Sequence, residues 1–175
     1  YIDKLDPTNK LMVIFRGINL DYYHEKNISF FKKNKLFNLW GLSENKFKIL
    51  LPGRLTSWKG QDKFIESLNI LVEDYNNYRF EAIILGSDQG RNVYKKKLQN
   101  LSQRYNLNQK IFFIDHCKDM PLAYSLSDVV VSSSVEPEAF GRVAVEAQAM
   151  QKPIIASNIG GSKETIIDKK TGFLY

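Results

Sequence analysis

Glu138 and Glu146, separated by seven residues within the run SSSVEPEAFGRVAVEAQAM at 132–150, form the acidic pair best placed to do chemistry. A polar loop opens there into an Ala- and Val-rich stretch with helical spacing. If that helix starts at Ala139 or Phe140, Gly141 falls in its first turn. Uncapped N–H groups and the positive dipole end attract anions there, and the missing side chain lets a ligand approach the backbone. The axial rise between the two carboxylates is then on the order of 12 Å. Helical side chains lean toward the N-terminus, so Glu146 reaches below the anion seat while Glu138 stands above it. Carboxylates on both sides of a diphosphate can each accept hydrogen bonds from sugar hydroxyls, which is the layout of a nucleotide sugar.

A cationic pair lies upstream in PGRLTSWKG at 52–60, where Arg54 and Lys59 sit on a loop bounded by Gly53 and Gly60. A guanidinium fork and a compact ammonium together could neutralise a departing diphosphate. The same residues also describe a surface loop with two solvated cations. The loop is not a Walker motif, since no Gly-Lys-Ser/Thr follows at the required spacing, and the chain has no G-x-G-x-x-G. Gly86-Ser87-Asp88-Gln89-Gly90 is a second flexible turn with glycines suited to close ligand approach. Asp115, His116 and Cys117 are consecutive, so their side chains point different ways, and no second cluster completes a metal site. Cys117 reads as a small buried filler and His24 as a surface residue.

In order, PGRLTSWKG, Glu-x7-Glu in EAFGRVAVEA, the strand KPIIAS with GGSKE, and TGFLY resemble the donor-binding half of retaining glycosyltransferases of family 4, which have the GT-B fold. The resemblance spans about residues 46–175. HCKDMP and SSSVEPEAFGRVAVEAQAM are most similar to bacterial group 1 transferases that build lipopolysaccharide or other surface glycans. The resemblance implies transfer of a hexosyl group from a UDP- or GDP-sugar to a glycan or glycolipid held by an N-terminal domain, without a metal or other cofactor. Arg54 and Lys59 take the diphosphate, with Gly53 and Gly86 beside it. Glu138 meets the donor sugar, and Ala139, Phe140 and Gly141 offer backbone N–H groups. Glu146 meets the ribose, and residues near His116 meet the base. Arg54, Lys59 and Glu138 are thus the catalytic candidates. The chain departs from the family pattern at Ala139, usually Gly, and at Arg142, often apolar. A sugar-nucleotide 2-epimerase of the same architecture and a non-catalytic anion-binding module are the alternatives. A dehydrogenase is disfavoured by the missing glycine fingerprint, and nothing marks a pyridoxal-bearing Lys for phosphorylase chemistry.

The elements that must position these residues alternate strand and helix, which argues for an α/β fold, a Rossmann-like doubly wound parallel sheet forming the C-terminal half of a GT-B fold. Strands are expected at 11–15, 47–51, 80–85, 111–114, 129–131 and 153–156. Helices are expected at 29–40, 61–74, 92–105, 120–126 and 162–167, besides the one after Pro137. The helix at 29–40 should turn Phe30, Phe31, Leu36, Phe37 and Trp40 inward, and that at 61–74 should bury Phe64, Leu68, Ile70 and Leu71. One domain is expected. Residues 1–45, with RGINLDYY, form a lead-in from an inter-domain segment, and residues 46–175 form the donor domain, truncated at its end.

With 43% hydrophobic and 25% charged residues the chain can bury a core. No apolar run approaches the ~20 residues of a membrane span, and the one cysteine cannot form an internal disulfide, in keeping with a cytoplasmic setting. The net charge of +6, with lysine clusters at 32–35, 95–97 and 169–170, favours an anionic partner such as a nucleotide diphosphate or an acidic membrane face. Peripheral contact with the inner face of the cytoplasmic membrane fits that charge. No nucleic-acid motif accompanies it.

Overall fold

A computed structural model describes residues 14, 16–76, 78–90 and 92–175. Six strands, β1 (Phe47–Pro52), β2 (Phe80–Leu85), β3 (Ile111–Ile114), β4 (Val129–Ser132), β5 (Ile154–Ala156) and β6 (Phe173–Leu174), form one sheet in the order β3-β2-β1-β4-β5-β6. Every pairing is parallel, with Leu50 opposite Ile83 and Val130. The helices are α1 (Phe30–Leu39), α2 (Gln61–Glu73), α3 (Asn92–Arg104), α4 (Met120–Ser125), α5 (Arg142–Ala149) and α6 (Ser162–Thr165). The expected strands and helices from residue 47 onward are present, and the strands at 80–85 and 111–114 have the expected bounds. The strand expected at 11–15 lies, Ile14 apart, outside the described residues.

Side chains alternate across each strand. Ile49, Leu51, Ala82 and Ile84 pack with Phe64, Ile65 and Leu98 of α2 and α3 on one face. Leu50, Ile83 and Val130 pack with Tyr124 of α4 and Ala144 and Ala147 of α5 on the other. Strand order reverses between β1 and β4. Right-handed crossovers therefore place the helices on opposite faces of the two halves, leaving a crevice above the carboxyl ends of β1 and β4.

Three expectations about helices need correction. The helix after Pro137 starts at Arg142, because Gly141 adopts a left-handed backbone (φ 72°) that ends the loop instead of continuing a helical turn. Phe30 and Phe31 are 78% and 75% exposed, so α1 turns only Leu36 and Phe37 toward the core, with Trp40 buried at its C-cap. Ile70 is 49% exposed, and Ile65 takes the buried place on α2.

Candidate functional site

The crevice is built from the loops that leave β1, β2, β3 and β4. A backbone hydrogen bond from Gly53 to Leu85 and one from Gly86 to Ile114, each 2.8 Å, stitch the first three loops together. A Cβ on Gly86 would sit 1.9 Å from the Gly53 carbonyl oxygen, so the loops touch backbone to backbone. The 52–60 loop is tied to the loop after β4 by a 2.8 Å bond from Val135 N–H to Trp58 O and by the Ser133 hydroxyl, which donates to the carbonyls of Lys59 and Gly60 at 3.0 Å. Gly60 is required there, since its φ is +66° and a Cβ would lie 2.0 Å from Ser133 O.

Two adjoining clusters result. Gly53, Arg54, Gly86, His116 and Glu146 line one cavity of about 520 Å³, together with Tyr23, Tyr124 and Arg142. Arg54 is exposed at its wall. Lys59 and Glu138 are not part of that lining and meet each other instead, Nζ to Oε1 at 2.7 Å, with side chains 13% and 15% exposed. The Ser134 hydroxyl donates to the same Glu138 oxygen, and the Lys59 ammonium stands 4.5 Å from the Trp58 ring centroid. Gly53 joins the clusters, because the Lys59 methylenes pass 3.6 Å from where its Cβ would be.

The Glu138–Glu146 geometry differs from that expected. Glu138 lies in the loop before α5, so no single helix sets the spacing of the two carboxylates. Ala139 is exposed, and the Phe140 side chain lines a separate hollow with Ile18, Val145 and Thr165. Gly141 is the N-cap of α5 and supplies no side-chain cap; its carbonyl accepts from Ala144 N–H at 3.0 Å, and the N–H groups of Arg142 and Val143 before it have no intrahelical acceptor.

Glu146 is 5% exposed and receives three donors, which leaves Oε2 free to accept one more. Arg142, one turn earlier on α5, forks onto Oε1 through Nε at 3.1 Å and Nη2 at 2.7 Å, and the Tyr124 hydroxyl donates to Oε2 at 2.9 Å. The Tyr23 phenol lines the same cavity, and burial followed by the Glu146 charge pushes it up to about 12. The same causes raise Tyr124, which is fully buried, well above the ordinary phenol value. Cys117, half-buried at the cavity, has its thiol raised mainly by burial. Sequence reasoning did not find the two tyrosines. Tyr23 sits 123 residues before Glu146, and Tyr124 lies in a short helix that reads as apolar. Arg142 was visible only as a departure from a pattern.

Among the described residues no group of three or more His, Cys, Asp or Glu side chains gathers to hold a metal, and no helix is long and apolar enough to cross a membrane.

Residues 32–175 match the protein family described as Glycosyl transferases group 1. A glycosyltransferase of known structure from Rickettsia africae ESF-5 is 34% identical, with a TM-score of 0.90, over 99% of this chain and 46% of that one. Anabaena Alr3699/HepE, crystallised with UDP and glucose, is 31% identical with a TM-score of 0.82, covering 93% of this chain and 42% of that one. Spore coat protein SA of Bacillus subtilis (strain 168) is 30% identical over 95% of this chain and 45% of its own length. The chain thus spans less than half the length of these relatives.

Proposed function

Because this chain belongs to the group 1 glycosyltransferases, we propose that the crevice above β1 and β4 is the nucleotide-sugar donor site of a retaining enzyme of family 4. The observation that carries the reading is the convergence of Gly53, Arg54, Gly86, His116 and Glu146 on one cavity beside the Lys59–Glu138 pair. A nucleoside diphosphate lies with its base toward His116, its ribose toward Glu146 and its phosphates between Arg54 and the first turn of α5. The sugar lies toward Glu138. HepE, crystallised with UDP, with UDP and glucose, and with UDP-glucose, makes uridine the first base to test.

In the reaction the bond from the sugar C1 to the diphosphate oxygen breaks and the acceptor hydroxyl oxygen bonds C1 from the same face. The hydroxyl proton passes to the departing phosphate oxygen. Negative charge grows on the diphosphate while C1 gains oxocarbenium character, so fixed positive groups aimed at the phosphates lower the barrier. Arg54, Lys59 and the α5 amino end have that role. Lys59 exchanges its Glu138 partner for phosphate as the donor arrives, which frees Glu138 to accept hydrogen bonds from the sugar. Two cations and a helix end can balance a diphosphate without a divalent ion, so the proposed reaction is metal-independent. The acceptor, a glycan or glycolipid of a cell-surface polysaccharide such as lipopolysaccharide, binds to the part of the enzyme beyond this chain. The donor domain works on the cytoplasmic side.

A thermal-shift panel of UDP-glucose, UDP-N-acetylglucosamine and GDP-mannose, each with and without a chelator, tests the reading, because a ligand that binds only the folded state raises the melting temperature. At least one donor should raise it, and the chelator should leave the rise intact. No shift with any donor at millimolar concentration would overturn the assignment.

A further inference from the structure

We propose that α1 and the turn before it form a docking surface for an anionic phospholipid bilayer. Phe31, Lys35 and Leu39, spaced i, i+4 and i+8, form one outward stripe of α1. Phe31 and Leu39 are each 75% exposed, and Phe30, 78% exposed, flanks the stripe. Tyr22, at 47% exposure, extends the apolar surface into the preceding turn. Tyr22 and Lys32 line the same small hollow, which places that turn beside the helix.

Charge selects the occupant. The helix carries Lys32, Lys33 and Lys35 and no acidic residue. Of the four lysines on α2 and α3, Lys63 pairs with Glu66, Lys97 with Asp62 and Lys95 with Asp115, and among the described residues Lys96 alone has no ion pair. Among the described residues none of the α1 lysines makes an ion pair. A solvated helix face has no need of two phenylalanines and a leucine, and a second copy of the same face would bring lysines against lysines. An anionic bilayer satisfies both halves: the apolar side chains enter the boundary between headgroups and acyl chains while Lys32 and Lys35 meet lipid phosphates. The use of such a surface rests on the transferase reading, since a glycolipid acceptor would be presented at that bilayer. Its test needs no donor.

Vesicle co-sedimentation of the chain decides the matter, with vesicles of phosphatidylcholine alone or mixed with one-third phosphatidylglycerol. Binding should require the anionic lipid and fall as salt rises. Lys32→Gln/Lys35→Gln should weaken it about 30-fold, the worth of two lysines beside an anionic surface, and Phe31→Ser/Leu39→Ser should abolish it. All these side chains are on the surface, so both variants should keep the parent melting temperature. Equal binding by the variants, binding to neutral vesicles as strong as to anionic ones, or no binding at low salt would overturn the proposal. Loss of donor binding with vesicle binding intact would instead strike only at the donor site.

Discussion

Glu146 and Glu138 are both carboxylates held by cations, yet their surroundings assign them different work. Glu146 is buried under Arg142, Tyr124 and Tyr23, so its orientation is fixed before any ligand arrives. Glu138 shares its Oε1 between Lys59 and Ser134, and this pair can be exchanged. Glu146→Ala should therefore weaken binding of a nucleoside diphosphate and of the intact nucleotide sugar alike, whereas Glu138→Ala should spare the diphosphate and weaken only the sugar nucleotide. Paired calorimetric titrations would show this, and equal losses on both ligands would undo the division. Removing the Tyr124 hydroxyl leaves a buried charged acceptor one donor short, so Tyr124→Phe should cost about 1.5–3 kcal/mol in a urea-unfolding measurement. No change in the midpoint would show that the bond contributes nothing. The acidic pair and the two cations were legible from residue type and spacing. The Tyr124 donor and the neighbouring Tyr23 were not, because they come from α4 and the lead-in, which only the folded chain brings to Glu146.

At the scale of elements, the parallel strands were legible because buried strands read as short apolar runs bounded by turns. Boundaries failed where a single backbone angle decides them, as at Gly141, whose left-handed conformation delays α5 to Arg142. Orientation failed at Phe30 and Phe31 for a different reason: apolar residues were assumed to face inward, and nothing local distinguishes a core face from an exposed one. The connection between the β1 and β4 loops is where the fold and the site depend on each other. Gly60→Ala imposes left-handed strain and drives a methyl group into the Ser133 carbonyl. It should cost about 2–4 kcal/mol of stability, and it should also weaken donor binding through Lys59 next door. A variant as stable as the parent would show that the two loops are not tightly coupled.

For the whole molecule, a buried ion network at the opposite end of the sheet holds the lead-in to the donor domain. Glu81, 1% exposed, receives the Ser43 N–H at 2.9 Å and its hydroxyl at 2.7 Å, and pairs with Lys46 at 3.1 Å and with the buried Lys48 at 3.6 Å. Burial alone would raise this carboxyl, but the Ser43 and Lys46 contacts together hold it below the ordinary value. A depressed folded-state value gives stability that is present above the unfolded carboxyl value of about 4.3 and lost as pH falls through the folded one. Unfolding midpoints should therefore fall below about pH 4, and Glu81→Gln should flatten that fall. The variant should also lose about 3–5 kcal/mol at neutral pH, because Lys48 is left buried without its counter-charge. An unchanged acid profile in the variant would remove Glu81 from the account.

Family membership and the parallel sheet leave one claim for experiment, that Arg54 and the crevice above β1 hold the diphosphate of a donor. Calorimetric titration of UDP into the parent chain and into Arg54→Ala tests it most directly. Loss of a charge-assisted contact of about 1.5–3 kcal/mol predicts an affinity lower by a factor of about 10 to 150, with the melting temperature unchanged. Equal affinity in the two proteins would contradict the placement of the phosphates.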